Sequence, residues 1–326
     1  MYNYNCPDCN EAKLQSDKNA RKINEVIDQV NALIQVNNET VDFIEEKAKE
    51  VVGEIAEIKV NENIGDIKTS LDNIEKGLNS MIFDGNIMVS HRGGSYYAPE
   101  NTIASFDVAL KQGYKAIETD VLLTSNNEWI VFHDSTLERM TNGEGKVNTK
   151  TLSELKRLII DGGYNVNRFA AQKILTLNEL FDYVKGNKIY LLLEIKVTTT
   201  LDNLKTLVNK IYDYELENNI ILLGYSVENF ENIRTFDKYL KCSIALDTDI
   251  TETHIGWANY VGNCGFTPYV KNLTKTGVEL AHDNNYFVMP YDVKTYGEVL
   301  KCKEYQVDGM VCDCISEVNI NASYLL

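Results

Sequence analysis

The 326 residues carry 32 basic and 48 acidic side chains, a formal net charge of -16, which excludes nucleic acid and anionic membrane surfaces as general partners. Hydrophobic residues make up 44% of the chain, enough for a sizeable core, and no stretch approaches the roughly 18 apolar residues that membrane insertion requires. The seven cysteines, scattered at 6, 9, 242, 264, 302, 312 and 314, predict reduced thiols rather than a disulfide framework, and the polar start at 1–10 shows no signal peptide, so synthesis in the cytosol is expected.

Residues 1–83 contain no Trp and one proline, Pro7. From about residue 20 they follow a helical pattern. Ile23, Ile27, Val30, Ile34, Val41, Ile44, Ala48, Val51, Ile55 and Ile58 alternate four and three apart, with Asn37 in the one gap. Ile64, Ile67, Leu71, Ile74, Leu78 and Met81 repeat that spacing. Both are a/d seams, separated by a slip that matches neither usual insertion. A helix of about 60 residues would be roughly 90 Å long, and its apolar stripe needs a partner. Ile at both a and d favours more than two strands, so 20–82 are expected to form a homotrimeric coiled-coil stalk. A bundle of two or three helices folded back is the alternative. Cys6 and Cys9 match half of a zinc-site spacing, but no second pair lies nearby, and incidental thiols are the preferred reading.

Beyond residue 84, short apolar runs alternate with amphipathic stretches. Strands are predicted at 86–90, 116–123, 129–133, 189–195, 220–225, 242–247, 286–290 and 309–312. Helices are predicted at 102–112, 153–158, 177–184, 201–214, 227–239, 273–284 and 295–304. Strand–helix alternation implies a parallel sheet. The length of 84–326 suits a TIM (β/α)8 barrel, with a doubly wound sheet as runner-up.

In such a barrel, catalytic groups stand at the C-terminal strand ends. Four predicted strands end in titratable residues: His91-Arg92, Glu118-Thr119-Asp120, His133-Asp134 and Glu194-Ile195-Lys196. Each motif alone has a bland structural reading; together they point to one site. Alternate strand residues share a face, so Glu118 and Asp120 can share a ligand, as can Glu194 and Lys196. Three converging carboxylates repel one another unless a hard divalent cation, Ca²⁺ or Mg²⁺, lies between them. Arg92 and Lys196 supply charge for an anionic group, and His91 and His133 can exchange protons near neutrality. This is a phosphoryl-transfer set. His254 and His282 have no motif context and read as structural.

The ordered set His91-Arg92-Gly93, Pro99-Glu100-Asn101-Thr102, Glu118-Thr119-Asp120, His133-Asp134 through Arg139, Thr141-Asn142-Gly143, Glu194-Ile195-Lys196 and Val307-Asp308-Gly309 resembles the glycerophosphodiester phosphodiesterase family. The resemblance covers about residue 86 to the end. It implies that Glu118, Asp120 and Glu194 bind one divalent metal, that His91 and His133 are the general acid and base, and that Arg92 and Lys196 contact phosphate. Glu100 would be a supporting residue, with Asn101 or Thr102 capping the next helix. It also implies attack on phosphorus by a neighbouring substrate hydroxyl through a cyclic phosphate. Met289-Pro290-Tyr291-Asp292 and Cys312-Asp313 depart from the family pattern in the part that contacts substrate.

The stalk favours a glycerol-phosphate polymer such as wall teichoic acid as substrate, cut by a phage tail or appendage enzyme in the virion, since repeated heads suit a repetitive polymer. A soluble, cytoplasmic metabolic enzyme that releases glycerol 3-phosphate is one alternative. A non-catalytic module that binds a phosphate polymer is another.

Overall fold

The computed structural model describes residues 87–313. The predicted stalk at 1–83, its trimer contacts through 20–82, and Cys6, Cys9 and Cys314 lie outside the described residues. In chain order the strands are β1 (Ile87–His91), β2 (Ala116–Leu123), β3 (Trp129–Val131), β4 (Leu175–Thr176), β5 (Tyr190–Ile195), β6 (Ile220–Gly224), β7 (Lys241–Leu246), β8 (Cys264–Pro268), β9 (Phe287–Val288) and β10 (Gly309–Cys312). The helices are α1 (Ile103–Lys111), α2 (Leu152–Leu155), α3 (Leu177–Asn187), α4 (Leu201–Asp213), α5 (Val227–Arg234), α6 (Glu252–Val261), α7 (Lys275–Asp283) and α8 (Tyr296–Glu304).

Parallel pairing runs β10-β1-β2-β5-β6-β7-β8-β9. The ring closes through backbone bonds from Asp308 N to Val288 O (2.9 Å), Val311 N to Pro290 O (2.9 Å) and Val293 N to Val311 O (3.1 Å). The result is a TIM-barrel-like wall of parallel strands joined by helices, as expected. Helix α4 shows why these segments fold as they do. Leu204, Leu207, Val208 and Ile211 fall on one face and are all buried, each stabilising by about 1.5–3 kcal/mol. Thr200 caps the helix by accepting from Asn203 N at 3.3 Å.

Two expectations are corrected. The run at 129–133 is not a barrel strand, because β3 pairs antiparallel with β2, and β4 antiparallel with β3. An apolar β-branched run signals burial, not strand direction. This excursion has its own core, including Ile130, Phe132, Leu137, Met140, Leu155 and Ile160. Second, the barrel gains a strand and helix at β8 and α6 that the sequence pattern did not mark. All five residues of β8 are buried, yet Gly265, Thr267 and Pro268 disguise the run. Gly265 is needed there, since a Cβ would lie 2.5 Å from the Phe287 ring.

Candidate active site

A two-residue step builds the site. Val89, Ala116, Leu192 and Val311 pack together in the interior of the barrel. Alternate strand residues share a face, so the positions two further on, His91, Glu118, Glu194 and Asp313, stand above that layer on the same side. Asp120 and Lys196 follow one step higher. The register aligns Asp120 with Glu194 and His91 with Glu118. The structure therefore brings together the residues singled out from the strand ends.

Glu118 is 2% exposed and Asp120 1%. One oxygen of each of Glu118, Asp120 and Glu194 lies within 4.8 Å of the others. Glu118 Oε1, Asp120 Oδ1 and Glu194 Oε1 are buried without a hydrogen bond; the last lies 2.8 Å from Lys196 Nζ as an ion pair. Orphaned anionic oxygens in a buried place are costly. Three of them converging form a donor set that fits a hard divalent cation. Burial pushes the Glu118 carboxyl up to about 8, with Asp120 adding repulsion, and burial followed by Asp120 raises Glu194 as well. Asp120 faces the same burial, but Arg92, His133 and Lys196 hold it below the ordinary carboxylate range. A cation among the three oxygens would remove the repulsion that raises the first two.

Arg92 follows β1 with φ of 54°, a left-handed conformation that is uncommon away from glycine. There its backbone N donates to Glu118 Oε2 (3.0 Å) and its Nη1 to Glu100 Oε1 (3.0 Å), while Nε lies 3.4 Å from Asp120. The next residue, Gly93 (φ +77°), lies where a Cβ would meet Ser105 Oγ at 2.5 Å. The capping question resolves in favour of Thr102, which caps α1. Asn101 instead donates from Nδ2 to Asp120 Oδ2 (2.9 Å) and accepts from Thr119 Oγ1 (2.5 Å).

His91 and His133 each have Nδ1 on a carboxylate. His91 Nδ1 lies 2.5 Å from Asp313 Oδ1, and its Nε2 is 3.9 Å from Glu118. His133 Nδ1 lies 2.6 Å from Asp134 Oδ1. The two carboxylates differ. Arg139 grips Asp134 through Nε and Nη2 (2.5 and 3.0 Å) and Glu100 through Nη2 and Nη1 (2.6 and 3.0 Å). Among the described residues Asp313 has Lys294, at 3.4 Å, besides His91. Burial would lower both imidazoles. At His91 the Asp313 hydrogen bond and Glu118 outweigh it and raise the pKa. At His133 burial prevails over Asp120, with Arg92 adding to it, and the pKa falls. The two imidazoles are thus offset in opposite directions by their surroundings.

Asp134, Arg139 and Asp313 had no role in the sequence reading, although the first two sit inside the quoted motif, and Asn101 was read there only as a candidate helix cap. The two-residue step from Val311 was a signal for Asp313. His254 and His282 are structural: His254 Nδ1 accepts from Thr251 N at the start of α6 (3.1 Å), and His282 Nε2 pairs with Asp308 (2.9 Å).

Comparison with known proteins gives a consistent family. The model described as "Glycerophosphoryl diester phosphodiesterase family" matches residues 91–317. A glycerophosphodiester phosphodiesterase of Caldanaerobacter subterraneus is 31% identical over 232 residues, covering 70% of this chain and 93% of the relative. One from Bacillus subtilis is 26% identical over 251 residues, covering 70% and 83%. The glycerophosphodiester phosphodiesterase of Agrobacterium tumefaciens shares the fold at a TM-score of 0.62 and 22% identity, covering 72% of this chain and 99% of that one. A phosphodiesterase of Oleispira antarctica, solved with its product sn-glycerol-3-phosphate, does so at 0.64 and 23%, covering 73% and 96%.

Proposed function

The chain belongs to the glycerophosphoryl diester phosphodiesterase family and is a phosphoric diester hydrolase, and from that premise we propose that it cleaves glycerophosphodiesters with one divalent cation, Ca²⁺ or Mg²⁺, held by Glu118, Asp120 and Glu194. The observation that carries this reading is the convergence of three orphaned carboxylate oxygens beside two imidazoles whose Nδ1 atoms are pinned. When bound, the cation supplies neutralisation of the phosphate's negative charge.

The protein's own groups have the following roles. Arg92 and Lys196 orient the phosphate, and Glu100 holds the Arg92 guanidinium. His133, whose partner Asp134 is already neutralised by Arg139, accepts the proton of the substrate hydroxyl neighbouring the phosphate. The hydroxyl oxygen bonds to phosphorus as the bond to the departing alcohol breaks. His91, held by Asp313, donates a proton to that alcohol. Water then opens the cyclic phosphate with the proton roles reversed.

The test is release of alcohol from glycerophosphocholine by the purified chain, with and without chelator, beside His91→Ala and His133→Ala. Chelation and either substitution should each reduce turnover by at least 10²-fold. Turnover indifferent to chelator and to both substitutions would overturn the proposal. The narrower setting, a glycerol-phosphate polymer cut by a trimeric virion enzyme, rests on the heptad pattern of 20–82 alone. Poly(glycerol phosphate) is accordingly the second substrate to assay.

A further inference from the structure

The step that places His91 and Glu194 at the barrel mouth also operates on the other half of the wall. Ile221 and Met289 belong to the interior layer of the barrel. Two steps above Ile221 stands Tyr225, and one step above Met289 stands Tyr291. Ser243 and Thr267 share a buried hydrogen bond of 2.7 Å; two steps above Ser243 is Asp247, and one step above Thr267 is Tyr269. The mouth thus divides into a charged half, from β1 to β5, and a half made of three tyrosines around one carboxylate.

That second half has a defined internal geometry. Asp247 Oδ1 accepts from Tyr225 OH (2.9 Å) and from Tyr291 OH (2.7 Å), and the two phenols are 2.9 Å apart. The Tyr269 and Tyr291 rings lie 5.4 Å apart with 34° between their planes. Tyr225 is 47% exposed. The hydroxyls of Tyr225 and Tyr291 are therefore engaged with Asp247, and the cluster offers ring surface to a ligand. Among the described residues no Lys or Arg forms an ion pair with Asp247, so its charge is uncompensated at the mouth of an enzyme for anionic substrates. Lys271 Nζ hydrogen-bonds the Tyr269 side chain and lies 5.7 Å from the centroid of its ring.

We propose that Tyr225, Tyr269, Tyr291 and Asp247 form a head-group subsite that selects diesters whose alcohol carries a cationic ammonium group of the choline type. The inference rests on the phosphodiesterase reading and adds a substrate class to it. Aromatic faces attract a quaternary ammonium through their quadrupoles, and the carboxylate supplies the matching charge. The anionic phosphate then lies toward Arg92 and Lys196 and the cationic arm toward Asp247, so the substrate's charge separation matches that of the mouth. A neutral polyol arm gains only hydrogen bonds from Asp247. The next phosphate of a glycerol-phosphate chain is repelled by it.

The test compares kcat/KM on glycerophosphocholine and on glycerophosphoglycerol for the cation-loaded wild type, Asp247→Asn, Tyr291→Phe and Tyr291→Ala. Wild type should favour the cationic substrate, mainly through KM. Asp247→Asn should reduce the ratio of the two kcat/KM values about tenfold, a change typical of losing one desolvated charge partner. Tyr291→Phe keeps the ring and should keep the ratio within threefold, whereas Tyr291→Ala should reduce it. An equal preference in wild type, an unchanged ratio in Asp247→Asn, or a preference for glycerophosphoglycerol that Asp247→Asn abolishes overturns the proposal, the last in favour of a polyol subsite. Should wild type turn over neither substrate, the phosphodiesterase reading fails separately. Titration with choline then decides the subsite: affinity lost in Asp247→Asn upholds it, and equal affinity in the two proteins overturns it.

Discussion

Replacing Arg139 with Ala is expected to impair the enzyme more than it destabilises the fold. Arg139 is 46% exposed, and its forks hold Asp134 and Glu100 at 2.5–3.0 Å. Solvent screening limits such contacts, so their loss should cost about 1–2 kcal/mol of stability. The catalytic consequences come through two carboxylates. Glu100 is left with Arg92 alone, and Arg92 loses part of what fixes its guanidinium beside Asp120. Asp134, opposed by burial but held at about 2 by hydrogen bonds from Arg139 and His133, keeps only the latter. Its full charge then bears on His133 Nδ1 and raises that imidazole's pKa. A base works only when neutral, so the acidic limb of kcat/KM should move to higher pH, by about one pH unit. Loosened positioning should lower kcat about 10- to 100-fold. The assay is a pH–rate profile of wild type, Arg139→Ala and Arg139→Lys beside their melting temperatures. Lysine restores charge but not both forks, so it should recover the acidic limb better than it recovers kcat. A lower melting temperature with kcat within threefold and an unmoved acidic limb would refute the reasoning and leave Arg139 a structural residue.

Three further outcomes are expected. Glu118→Gln relieves the repulsion that helps push this buried carboxyl up to about 8, so the cation-free variant should melt no lower than wild type. It should also lose the stabilisation that saturating Ca²⁺ or Mg²⁺ gives wild type, about 2.7 kcal/mol at a hundredfold excess over Kd, read by thermal shift. His282 has its pKa raised by the hydrogen bond to Asp308. That bond's contribution is complete below the ordinary histidine value and is lost as pH rises through the raised one. With both partners 35% exposed it is worth about 0.5 kcal/mol, so His282→Gln should lower the urea midpoint at pH 5 and leave it unchanged at pH 9. In Gly162→Ala the new Cβ would lie 2.1 Å from Arg139 O. The backbone must move, and the variant should lose about 1–3 kcal/mol in urea unfolding.

The site was legible in the sequence where chemistry lies on alternate residues of one strand. Glu118 with Asp120 and Glu194 with Lys196 share faces by strand geometry alone, and the apolar residues before them mark the barrel interior. What could not be read there is non-local. Asp313 meets His91 across the closing seam, and Arg139 reaches Glu100 through the loops of an excursion whose small core was not separable from the barrel's. The fold was legible to the same degree. Most wall strands announce themselves as Leu, Ile and Val runs, whereas Cys264–Pro268 is a strand because its neighbours bury it. The excursion strand at 129–131 carries the right residue types in the opposite direction.

The seam between β1 and β10 joins distant parts of the chain. His91 and Asp313 are 222 positions apart, and the backbone bonds of β10 to the segment after β9 close the ring beside them. A nascent or proteolysed chain that ends before residue 313 contains both histidines and all three acidic oxygens, yet nothing holds His91 Nδ1. Docking of β10 is therefore expected to complete the site, because it brings Asp313 to His91. Recovery of turnover after dilution from denaturant would thus report ring closure, and it should lag the recovery of helical circular dichroism.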